Sequence, residues 1–134
     1  MFERFDLPNV AVFCEQADGF KAMFMAEPPS EDQTRDTDWL MAVGEIFTLV
    51  VYSQLVLENA EIYGLDDYLV DRIFDVAVRD MSRFATELHG RSSTTEAQAK
   101  HCMTMIRRPV QPADGGERIW SQVFDLRDAY QMTE

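Results

Sequence analysis

The chain is poor in the residues that carry most catalytic and cofactor signatures. It has two cysteines, Cys14 and Cys102, and two histidines, His89 and His101. Two cysteines allow at most one disulfide, and a chain of this apolar content can build a core without one, so reduced thiols in a cytosolic setting are the expectation. The closely spaced cysteine pair of a structural zinc site is missing. Neither histidine has a glutamate three positions before it, as the two-metal carboxylate sites of helical bundles require: Thr86 precedes His89 and Gln98 precedes His101. Glu58 and Glu61 have helical spacing but no accompanying imidazole. No metal is expected. The Gly-x-Ser-x-Gly elbow, the phosphate-binding glycine loop and the dinucleotide fingerprint are also lacking, so no cofactor and no catalytic constellation is assigned. His101 and Cys102 are adjacent, but neighbours on a helix point about 100° apart, which gives them no natural ion-pair geometry.

Basic residues are the second shortage. Twelve Lys and Arg stand against 24 Asp and Glu, a net charge of −12. Such a charge opposes binding to nucleic-acid phosphates and anionic lipid head groups, so neither nucleic acid nor membrane is an expected partner. The imbalance is local. Between Ala22 and Asp71 there are eleven acidic residues and a single basic one, Arg35. The plain reading is a solvated acidic face. The functional reading is a docking surface for a basic partner, and an acidic mimic of nucleic acid is a third reading, which predicts strongly salt-sensitive binding.

Helix breakers are scarce as well. No proline occurs between Ser30 and Arg108, where the only glycines are Gly44, Gly64 and Gly90. The 134 residues suit one domain. No segment alternates with period two between turn residues, and the expected architecture is all-α: a single-domain bundle of about five helices. A first helix begins near Pro8 and presents Phe13, Ala17, Phe20 and Phe24 before Pro28 and Pro29 end it. Ser30 to Asp36 reads as a solvent-loving loop. A second helix, capped by Asp36 or Thr37, runs to Tyr63 with Gly64 in the left-handed C′ position.

The first half of this second helix is apolar all round, which predicts a central helix surrounded by the others. Glu45 and Gln54 interrupt its longest apolar stretch, so a buried helix is expected rather than a membrane span. The N-terminal stretch has neither a basic leader nor a small-residue cleavage site, and no secretory signal is expected. The third helix starts at Asp66, places Leu69, Ile73, Val76, Ala77, Asp80, Phe84 and Leu88 inward, and ends at Gly90. Ser93 and Glu96 have capping-box spacing for a fourth helix bearing Cys102, Met103 and Ile106. Asp114 and Glu117 repeat that spacing for a fifth helix bearing Ile119, Trp120, Val123, Phe124, Leu126 and Tyr130.

Two sets of residues stand out as candidate sites. Glu45 lies in the apolar second helix and Asp80 on the inward stripe of the third, beside Arg79 and Arg83. Either they form structural ion pairs, or Glu45, Asp80 and Arg83 line a polar ligand pocket. Trp120, Phe124 and Tyr130 on the fifth helix fit a protein interface as well as a core. Met23, Phe24 and Met25 cluster at the end of the first helix, in a pattern that suits either packing or an adaptable groove.

The run from Ile73 to Gly90, the segment Met105 to Pro109, and the closing stretch from Trp120 through Leu126 to Met132 resemble the helical C-terminal region of bacterial acyl-CoA dehydrogenase-like flavoproteins. The resemblance covers about the last half of the chain. It implies a role in assembly, since in such proteins this region packs against neighbouring subunits and helps frame the flavin and acyl-CoA sites. The family's Tyr-Glu-Gly-Thr-like segment with its catalytic glutamate and its β-barrel domain are missing, so no catalytic or flavin-binding residue is carried over. The functional expectation is therefore a small acidic helical protein that works through protein contacts, as a homo-oligomer or an accessory subunit. The alternative is a small-molecule-binding or enzymatic bundle around Glu45, Asp80 and Arg83.

Overall fold

The computed structural model describes residues 5–114 and 116–128. Among them lie five α-helices and no strand: α1 (Pro8–Ala26), α2 (Thr37–Tyr63), α3 (Asp67–His89), α4 (Glu96–Met105) and α5 (Glu117–Asp125). The all-α architecture with an apolar second helix is the one expected from the breaker pattern.

Local chemistry accounts for most boundaries. Proline at the first position of α1 gives up an amide that has no intrahelical partner there. The Asp36 carboxylate caps α2, accepting from the amides of Asp38 at 3.0 Å and Trp39 at 3.2 Å. Gly64 closes the same helix at φ +63°, a left-handed conformation costly for any other residue, and the Leu65 amide donates to Ala60 O at 3.0 Å. The capping box of α4 falls two residues later than expected. Thr95 and Gln98 form it, while the Ser93 hydroxyl donates instead to Asp36. Gly116, at φ +92°, precedes α5, and Asp114 serves a tight turn by accepting from the Gly116 amide at 3.1 Å.

The arrangement of the helices departs from expectation in one respect. The helix with neighbours on several sides is α3, which packs against α1, α2 and α4; α2 packs along α3 and the short 3₁₀ turn Gln33–Arg35. The core centres on Phe13, Met23, Trp39, Ile46, Leu57, Phe74, Met81 and Leu88. Phe13 and Phe74 meet edge-on, ring centres 5.4 Å apart. Because three helices press on α3, its buried arc is wide: Val70, Phe74, Ala77, Val78, Met81, Ala85 and Leu88 are buried, whereas Val76 is exposed. On α4, Gln98, Cys102 and Met105 are buried, whereas Met103 and Ile106, the latter just past the end of the helix, face outward.

Polar side chains stitch the packed helices together. Asn9, fully buried, donates from its backbone and side chain to Asp71, both at 2.8 Å, and exchanges bonds with both backbone groups of Val110. Gln16 donates to Val78 O, Ser82 Oγ and Met105 O, so one amide joins α1, α3 and the end of α4. Gln33 and Gln98 pair reciprocally and reach Ser93 O and Glu27 O. The segment Ser30 to Asp36 is therefore not wholly solvated: Gln33 is buried.

Candidate functional site

The most prominent unpartnered surface belongs to α2. The side that meets α3 is built from Trp39, Ala42, Ile46, Ser53, Leu57 and Ala60. The opposite side carries Met41, Gly44, Thr48, Val51, Leu55 and Ile62, which share a face because they recur at helical spacings of three and four, with one gap of seven. Met41 is 63% exposed and Ile62 73%, and Phe47, Tyr52 and Tyr63 are also exposed beside them. The expectation of a buried α2 thus holds for one side only. The cause is its position at the edge of the bundle, where α3 and the short 3₁₀ turn cover it from one side.

By length and composition α2 could cross a membrane, with mean hydropathy 1.8 over its most apolar window, of which 22% is buried. Glu45, Gln54, Glu58, Asn59 and Glu61 lie along the same helix, the last three near its C-terminal end.

Where α2 meets α3 the exposed face deepens into a groove of about 490 Å³, lined by Leu40, Met41, Gly44, Glu45, Thr48, Leu49 and Tyr52 from α2 and by Asp80 and Phe84 from α3. A second hollow of about 270 Å³ continues it along the same seam and shares Leu49, Tyr52 and Asp80. The structure thus brings together two of the three residues proposed for a polar pocket. Glu45 and Asp80 both line the groove, and Arg83 stands at its margin, donating to Asp80 at 3.3 Å with its guanidinium 4.6 Å from the centre of the Phe84 ring. Asp80 is 40% exposed and does not point into the core. The buried carboxylate of α3 is Asp75, held by Arg72 at 2.8 Å and Arg79 at 2.6 Å. Sequence spacing had no means to separate the two, because Asp75 and Asp80 both sit at the borders of the apolar stripe.

The second candidate surface is α5. No residue between Glu117 and Asp125 is buried, and Trp120, Val123 and Phe124 expose a common side. Trp120 and Phe124 lie with ring centres 6.2 Å apart. Tyr130, assigned to the same interface, lies outside the described residues. The base of the helix is tied down: Arg118 donates to Asp66 at 2.6 Å and lies 5.1 Å from the Tyr68 ring centre, and the Tyr68 hydroxyl donates to Asp114. That hydrogen bond raises the Tyr68 phenol and lowers the Asp114 carboxyl from their ordinary values.

Cys102 is buried, and burial pushes its thiol up to about 11, which leaves it protonated and a poor nucleophile at neutral pH. Cys14 and Cys102 are not disulfide-bonded. Among the described residues no three His, Cys, Asp or Glu side chains converge as a metal site. Comparison with protein-family models, with curated proteins and with solved structures finds no match to the chain.

Proposed function

We propose that this chain is a protein-docking module that acts through the open apolar face of α2, as an accessory subunit in a larger assembly. The observation that carries this reading is the length of α2 left without a packing partner while its other side is committed to the bundle, chiefly to α3. A contiguous apolar surface rimmed by polar residues is the usual mark of an interaction site, because exposing it to water is unfavourable until a partner covers it. The amphipathic α5, with Trp120 and Phe124 exposed, supplies a second contact element of the type enriched in interfaces. The resemblance of the last half of the chain to the helical region of acyl-CoA dehydrogenase-like flavoproteins makes a flavoprotein subunit a candidate for the partner.

Native mass spectrometry of the protein isolated from its source tests the reading, with Val51→Asp and Phe47→Asp as comparisons. The expected result is a complex with another chain that the wild type retains and both variants lose while keeping wild-type helical circular dichroism. A monomer that retains a small molecule would move the function to the groove between α2 and α3. That second reading is favoured by one observation, the presence of Glu45 and Asp80 in the lining of the same groove.

A further inference from the structure

Charge decides which partner the α2 face can take. From Asp36 to Asp71 the chain has eight carboxylates and no basic residue. On α2 these acids flank the apolar stripe: Glu45 borders it on the side of α3, and Glu58 and Glu61 border it on the other. Among the described residues neither Glu45 nor Glu58 forms an ion pair; Glu58 accepts only the Gln54 amide, at 3.2 Å. The arginines of the neighbouring helix are already engaged. On α3, Arg72 and Arg79 are matched to Asp71 and Asp75, and Arg83 to Asp80.

A second copy of this chain is therefore a poor occupant. It would bring the same carboxylates and a further net charge of −12, with its own α3 arginines already spent on α3 carboxylates. Apolar contact would have to work against like charge on both borders of the stripe. A helix with an apolar stripe edged by lysine or arginine meets both demands: it covers Met41, Val51, Leu55 and Ile62, and it brings cations to Glu45 and Glu58. Resting on the docking reading above, we infer that the occupant of the α2 face is an amphipathic α-helix of another protein whose apolar stripe has basic borders.

The test uses the full chain and two labelled synthetic helical peptides with the same leucine stripe, one bordered by lysines and one by glutamates. Binding is followed by fluorescence anisotropy at low and high salt, about 0.05 M and about 0.5 M. The lysine-bordered peptide is expected to bind at least about tenfold more tightly at low salt and to lose most of that advantage at high salt. Glu45→Lys with Glu58→Lys should abolish the preference. Asp6→Lys with Asp18→Lys changes the net charge equally at exposed positions that do not line the groove, and should preserve it. Equal binding of the two peptides, or equal loss from both double variants, would overturn the inference, since attraction would then be purely apolar or due to net charge alone. Sedimentation of the chain alone separates the two levels of the argument. Self-association abolished by Val51→Asp would keep the docking reading and replace the heterologous helix by a second copy. A monomer that binds neither peptide would remove both.

Discussion

At the residue scale, buried amides do work that a hydrophobic side chain cannot. The Gln16 Nε2 reaches Met105 O at 2.6 Å as well as Val78 O and Ser82 Oγ, and the Met105 carbonyl ends α4, where no intrahelical amide remains to satisfy it. Gln16→Met, which conserves volume but removes the donor, is expected to cost about 1–3 kcal/mol in urea unfolding. Two glycines make a sharper pair. A Cβ at Gly19 would sit 3.0 Å from Thr104 Oγ1 and 3.3 Å from Met105 Cγ, whereas one at Gly44 meets nothing within 4 Å. Both lie inside helices, where alanine is favoured over glycine by about 1 kcal/mol. Gly44→Ala should raise the unfolding free energy measured in urea by most of that amount; Gly19→Ala should fall short of it, because α1 and α4 must separate to admit the methyl group. Cys102 belongs to the same scale. Its raised thiol should resist alkylation at pH 8 in the folded protein and react once urea unfolds it.

At the element scale, the helices differ in how firmly the bundle holds them. The two tryptophans report this directly. Trp39 is 1% exposed on α2 and packs near Phe24, with ring centres 6.4 Å apart, while Trp120 is 70% exposed on α5. Acrylamide should quench two distinct populations, and Trp120→Phe should remove the accessible one. Trp120→Ala is expected to change stability by less than about 0.5 kcal/mol, against about 3–5 kcal/mol for Trp39→Ala. A large loss from Trp120→Ala in the isolated chain would show that α5 is packed after all. The existence of all five helices and the bounds of the first three were legible from prolines, glycines and caps, whereas α4 stops before Ile106 and α5 stops before Leu126, both expected within them. The exact cap of α4 was not legible either, since Ser93 and Thr95 both have a plausible acceptor partner three residues on, and only the pull of Asp36 on Ser93 and of Gln33 on Gln98 selects between them.

At the scale of the whole molecule, the excess of acid sets the response to salt and pH. Close-set carboxylates repel, so added sodium chloride should raise the melting temperature by screening them. On the acid side, the Ser93 hydroxyl and the Trp39 and Asp38 amides hold the Asp36 carboxyl below its ordinary value, and Tyr68 does the same for Asp114. Groups depressed in the folded state stabilise it fully above their unfolded values, near 4, and that stabilisation is lost as pH falls through the folded ones. Cys102 acts in the opposite sense: its stabilisation is intact below the ordinary thiol value and is lost as pH rises towards about 11. Thermal melts should therefore show Asp36→Asn flattening the acid limb and Cys102→Ala flattening the alkaline one.

What the sequence determined by itself was local: the boundaries of the first three helices, the all-α class and the crowding of acid into residues 22–71, because breakers, caps and charge act over a few residues or are simply counted. Tertiary structure decided which apolar residues are core. Residues on opposite sides of α2 have the same hydrophobic character, and only its place at the rim of a bundle centred on α3 makes Ile46 interior and Val51 surface. The same placement made the candidate site. Glu45 and Asp80 are 35 positions apart in the chain, and they line one groove because α2 and α3 turn at Gly64 and pack side by side.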